Sequence, residues 1–102
     1  MGKLVRDRIP EIIDANGGAA RFHVLEESAY EPALLDKLVE EAQELRDVAP
    51  TGRLEEAADV YEVLLAVADH LGVSLDDVAE RAAQKRAERG GFDRRLWLDS
   101  TP

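Results

Sequence analysis

A chain of 102 residues makes one small domain, and with 45% hydrophobic but only 5% aromatic residues its core must be aliphatic. Thirteen Lys and Arg against 22 Asp and Glu give a net charge of −9, which repels nucleic-acid polymers and anionic lipid. The absence of cysteine excludes disulfides, iron–sulfur clusters and thiolate zinc sites.

No apolar run approaches the roughly 18 residues that span a bilayer, and no signal-peptide pattern opens the chain. Arg6 stands where a myristoylation motif after Gly2 needs Ser or Thr. The expectation is one cytoplasmic all-α domain over residues 1–102, with neither a membrane nor a nucleic-acid polymer as partner.

Punctuation predicts four helices. The first covers Asp7–Asn16, with Asp7 as N-cap, Pro10 in the first turn and Gly17-Gly18 as the stop. Residues Arg21–Leu25 read as a short extended segment. The second helix runs from Ala29 to Val48, with Pro32 in its first turn and Pro50 forbidding continuation. Thr51 caps the third, which reaches Leu71 before Gly72. Ser74-Leu75-Asp76-Asp77 resembles a capping box opening a fourth that ends at Arg89. In the tail, Leu96-Trp97-Leu98 is a second extended candidate, placed to pair with Phe22–Leu25.

Laid out at about 100° per residue, the second helix shows an apolar arc of Leu34, Leu35, Leu38, Val39, Ala42 and Leu45. With Val48 extending one edge of the arc, Glu41 falls inside it between Val48 and Leu34, whereas Glu44 lies outside it beside Lys37, and Glu40 is further out. On the third helix Glu56 sits between Val63 and Val67, again within apolar surroundings, and Asp59 is one turn along. An unpartnered carboxylate among aliphatic groups costs several kcal/mol or takes up a proton. Acids at i, i+3 on two helices, Glu41/Glu44 and Glu56/Asp59, can instead converge on one point and hold a cation. Oxygen ligands without Cys or paired His select Mg²⁺ or Mn²⁺ over zinc. One such run alone reads as a solvated face; the matched pair on successive helices points to a site.

These residues resemble a known superfamily. Glu40-Glu41-Ala-Gln-Glu44 followed by Glu56-Ala-Ala-Asp59 matches EExxE…ExxD of the all-α nucleoside triphosphate pyrophosphohydrolases, which comprise the MazG proteins, dimeric dUTPases and phosphoribosyl-ATP pyrophosphohydrolases. The opening Lys3-Leu-Val-Arg6-Asp7-Arg8-Ile-Pro10-Glu11-Ile-Ile is similar to the KLVRDKIPEII start of a small MazG-like subgroup. The stretch from Lys85 to Trp97 resembles that subgroup's Arg-Gly-Gly-Phe tail. Nearly the whole chain is covered.

The resemblance implies an oligomeric four-helix bundle that hydrolyses the bond between the α and β phosphates of a nucleotide, releasing a monophosphate and pyrophosphate. By position, Glu41, Glu44, Glu56 and Asp59 match the Mg²⁺ ligands. Glu40 matches the motif's first acid, either a group supporting the ligands or a base for the attacking water. Lys37 is placed to hold a carboxylate or to reach a phosphate. The sequence lacks the KxxGEE-like form of the phosphoribosyl-ATP enzymes, which speaks against a role in histidine biosynthesis.

Lys3, Arg6, Lys85 and Arg89 are the remaining candidates for the polyphosphate, set against ordinary surface charge. Arg6 and Asp7 could alternatively pair with each other and fix the N-terminal arm. Gly90-Gly91 reads first as a helix stop and only second as an anion nest. His23 and His70 have no second His at ligand spacing and read as non-catalytic, and no Ser or Thr has a base partner. Phe92 and Trp97 are expected to anchor the tail on the bundle rather than stack on a base.

On the third helix Leu54, Ala57, Ala58, Val60, Tyr61, Leu64, Leu65, Val67, Ala68 and Leu71 make an apolar arc about 180° wide. That is too wide for a four-helix monomer of this size to cover, so a homodimer or homotetramer is expected. A non-catalytic acidic helical adaptor or oligomerisation module is the rival reading. It gives no reason for Glu41 and Glu56 to stand inside both apolar arcs.

Overall fold

A computed structural model describes residues 2–102, and among them every regular element is helical. The first helix, α1 (Ile9–Ala15), begins two residues after the expected cap. The chain enters it through a turn in which the Ile9 N–H donates to the Arg6 carbonyl at 3.1 Å, so Asp7 caps nothing. Gly17 ends the helix at φ +88°, a left-handed conformation that costs glycine no Cβ clash. The Ala20 N–H then donates to Asp14 Oδ1 at 2.8 Å.

The second helix, α2 (Glu27–Asp47), starts two residues earlier than the sequence suggested. Pro32 therefore lies inside the helix rather than in its first turn, and the Ser28 carbonyl has no N–H to receive there. After Val48 the chain makes a short 3-10 turn over Pro50–Gly52, so Thr51 is a turn residue and no cap. The third helix, α3 (Arg53–Leu71), closes with the Gly72 N–H on the Asp69 carbonyl and the Val73 N–H on the Ala68 carbonyl. This crossed pair with Gly72 at φ +78° is a Schellman end. The fourth, α4 (Leu75–Arg89), opens on the capping box: the Asp77 N–H donates to Ser74 Oγ and the Ser74 N–H to Asp77 Oδ2, both at 3.0 Å.

Two expected extended pieces do not pair. Arg21–Leu25 and Leu96–Leu98 form no strand, each being too short to build a ladder alone. Phe92 and Trp97 anchor nothing either; they are 96% and 87% exposed, since no apolar groove of their own chain lies under them.

The short connection folds α2 and α3 into an antiparallel hairpin. The fourth helix packs on α3, while α1 packs on no other helix, so the four helices do not close into a bundle within one chain. Buried apolar residues are few: Leu34 on α2 with Val63 and Ala68 on α3. The radius of gyration is 17.5 Å, against about 13 Å for a compact chain of this length. Among the described residues, no helix is long and apolar enough to cross a membrane.

Candidate metal centre

Glu41 follows Leu34 by seven residues and Glu56 precedes Val63 by seven, two turns of helix in each case. Each acid thus continues the stripe that its helix buries. The Glu41 residue is only 6% exposed and is the one charged residue in the interior among those described. Glu56 and Asp59 on α3 are half-buried opposite it. One oxygen each from Glu41, Glu56 and Asp59 lies within 4.8 Å of the others, so the hairpin brings acids from two helices together.

The four acids expected to meet at one point form instead two overlapping triads. Glu44 belongs with Glu40 and Glu41 on α2, at the exposed rim, because the i+3 step carries it out of the packed stripe. Glu41 belongs to both triads. Its neighbouring carboxylate, with smaller contributions from Glu56 and Glu40, raises the Glu44 carboxyl above its ordinary range.

Two cations answer these acids. Lys37 Nζ stands 3.1 Å from Glu41 Oε1 and 3.5 Å from Glu40 Oε1, one turn before them. Burial works against the Lys37 ammonium, yet its contact with Glu41 and the charge of Glu40 together hold its pKa above the usual value. Arg6 Nη2 donates to Asp59 Oδ1 at 2.7 Å. Arg6 thus pairs across the fold with Asp59 and not with Asp7. Five carboxylates against these two cations leave three negative charges unanswered when all are ionised.

The shortfall is visible atom by atom. Glu41 Oε2 and Glu56 Oε2 are buried and accept no hydrogen bond. A buried ionised oxygen without a donor is among the costliest arrangements in a protein interior. These orphaned oxygens belong to two of the three acids in the inter-helix triad, which is the donor set hard divalent cations favour.

Of the cations proposed for a polyphosphate, Arg6 and Lys37 reach the acids directly. Lys3 lines a cleft with Ala33, Asp36, Lys37 and Glu40, beside the same face of α2. Lys85 lines a different cleft with Val73, Asp77, Val78 and Arg81. Arg89 is exposed in the last turn of α4. Neither Lys85 nor Arg89 makes an ion pair among the described residues. His70, read as non-catalytic, lies 2.9 Å from Glu31 Oε2 and packs edge-on against Tyr30. Sequence reasoning missed the Arg6–Asp59 pair and Asp36 at the cleft. Asp36 carried a signal, standing one helical turn before Glu40 on the same face.

Over 46 residues, 45% of the chain, the sequence is 50% identical to an uncharacterized protein of Mycolicibacterium smegmatis. The matched stretch covers 47% of that protein, about half its length. No protein family profile matches the chain. No solved structure matches it.

Proposed function

We propose that the chain is a Mg²⁺-dependent nucleotide pyrophosphohydrolase of the MazG-like all-α type, with Mn²⁺ as the alternative ion. The observation that carries this reading is the pair of buried, unpartnered oxygens of Glu41 and Glu56, offered from two helices beside Asp59. Glu41, Glu56 and Asp59 would hold the cation, with Glu44 at the rim for a second ligand or a second ion. When bound, Mg²⁺ supplies charge that offsets the polyphosphate and favours an ionised water nucleophile.

The chain's own residues do the rest. Water oxygen attacks the α-phosphorus, the bond to the bridging oxygen breaks, and pyrophosphate leaves with that electron pair. Glu40, held 3.5 Å from Lys37, takes the water's proton. Arg6 and Lys37 keep the acids in place, and Lys3, at the adjoining cleft, meets the phosphates. Lys85 and Arg89 join that role only from a second copy. The substrate is a nucleoside triphosphate or related nucleotide, cleared as non-standard or surplus material in the cytoplasm. The assembly is a homodimer or homotetramer, in which helices from several chains complete the four-helix bundle.

Pyrophosphate release from a nucleotide panel, with Mg²⁺ and with chelator, tests the reading. Release that requires the metal and disappears in Glu41→Gln and Glu56→Gln supports it. No release from any nucleotide, or full turnover by both variants, removes it in favour of an acidic adaptor.

A further inference from the structure

The chain divides its charge sharply. On α2 seven acids face only Lys37 and Arg46, and on α3 five face only Arg53, so this hairpin alone carries the entire net charge of −9. Residues 81–95 are the opposite, with six Lys and Arg against Glu88 and Asp93, a balance of +4. The basic stretch leads directly into the exposed apolar run of Phe92, Leu96, Trp97 and Leu98.

The surface area is also anomalous. One copy exposes 9020 Å². A compact monomer of 11.3 kDa exposes about 5,700 Å², an excess here of roughly 3,300 Å². A standard interface takes only about 800 Å² from each partner and an obligate one about 1,000–2,500 Å² or more, so the excess is ample for an extensive contact with a second copy. Matching apolar ground lies on the acidic hairpin itself. Leu35 and Val39, four residues apart on α2, are exposed, as are Leu54 and Tyr61, seven apart on α3.

We infer that the basic aromatic arm, the second half of α4 with residues 90–98, docks on the acidic α2/α3 hairpin of a second copy. Trp97 and Phe92 cover the exposed apolar stripes there, and Arg94 and Arg95 face carboxylates. A second copy is favoured over a nucleic acid because the complementary surface, apolar as well as acidic, is present in this chain, whereas a net charge of −9 repels a polyanion. The inference rests on the self-association proposed above, and it requires no catalysis.

Trp97 is the only tryptophan and cysteine is absent, so both probes are clean. Sedimentation velocity and Trp97 emission are followed over one dilution series of the full chain. The expected result is an oligomer whose emission is blue-shifted and moves red as the oligomer dissociates. Arg94→Glu with Arg95→Glu should weaken assembly by about tenfold at low salt and less at high salt. In the full-length Trp97→Cys chain, a benzophenone attached at the cysteine should yield a species of twice the chain mass, with the tail joined to a peptide from residues 27–71.

An oligomer whose Trp97 emits as a water-exposed indole overturns the arm exchange and leaves self-association standing. A monomer with blue-shifted emission, or cross-links only within one chain, shows the arm folding on its own hairpin and overturns it. A blue shift produced by adding a single-stranded oligonucleotide to the dilute chain assigns the arm to nucleic acid and also overturns it. Pyrophosphate release is read separately on the same samples, so loss of the enzymatic reading leaves the docking result intact.

Discussion

Glu41 and Glu56 each turn one carboxylate oxygen into the α2/α3 hairpin, and neither oxygen receives a hydrogen bond. The same hairpin buries few apolar residues to offset that cost. The metal-free fold therefore carries an unoffset electrostatic cost at this end of the hairpin, and several consequences can be measured.

Neutralising one of the two acids should stabilise the metal-free protein. Glu56→Gln removes a charge that no described cation answers, and the expected gain is about 1 kcal/mol in chelator, seen as a higher melting temperature. Glu41→Gln should gain less, because Lys37 loses its nearer partner. Saturating Mg²⁺ should raise the melting temperature of the native chain and have a smaller effect on Glu56→Gln.

Two acids should give opposite pH slopes. Glu44 has its folded pKa raised by Glu41, so the folded state holds the extra proton. Its contribution to metal-free stability therefore grows as pH falls from neutral through the raised value to the ordinary carboxylate range. Asp77 has its pKa lowered by the Ser74 N–H and hydroxyl. Its contribution is present above the ordinary Asp value and is lost as pH falls through the lowered one. Urea midpoints across acidic pH should lose the first slope in Glu44→Gln and the second in Asp77→Asn. Ser74→Ala should cost about 1 kcal/mol at neutral pH through loss of the cap.

Arg6→Ala should separate positioning from stability. Its pair with Asp59 is half-exposed, so the change in folding free energy should stay below about 1 kcal/mol. The Mg²⁺ concentration giving half-maximal pyrophosphate release should nevertheless rise, since Asp59 is no longer held. Unchanged metal dependence would make Arg6 a surface residue.

Leu34→Ala should be severe. With Leu34, Val63 and Ala68 the main buried apolar groups, losing one leucine is expected to cost about 2–5 kcal/mol. That is a large part of what a domain of this size has, and urea titration should show a collapsed midpoint or an unfolded chain.

The features legible in the sequence are those that one helix decides alone. The Ser74–Asp77 box, the Gly72 stop and the intrusion of Glu41 and Glu56 into apolar stripes all follow from local spacing, and each stands in the structure. Features depending on the path of the chain between helices were not legible. The Arg6–Asp59 pair spans 53 residues of sequence, and nothing near Arg6 announces it. The expected pairing of Phe22–Leu25 with Leu96–Leu98 failed for the same reason: a short extended stretch cannot supply its own neighbour. Pro32 lies deeper in α2 than its preference suggests because tertiary packing of the helix outweighs one lost hydrogen bond. The convergence of acids was legible as a face, while its division into two triads required the hairpin's register.

Isothermal titration of the chelator-treated chain with Mg²⁺, alongside Glu41→Gln and Glu56→Gln, measures cation binding by the inter-helix acids themselves. The native chain should bind saturably, with at least a tenfold loss of affinity in each variant while the helical circular-dichroism spectrum is kept. Native-like Mg²⁺ affinity in both variants, or no Mg²⁺ binding by the native chain at all, would contradict a cation site at these acids.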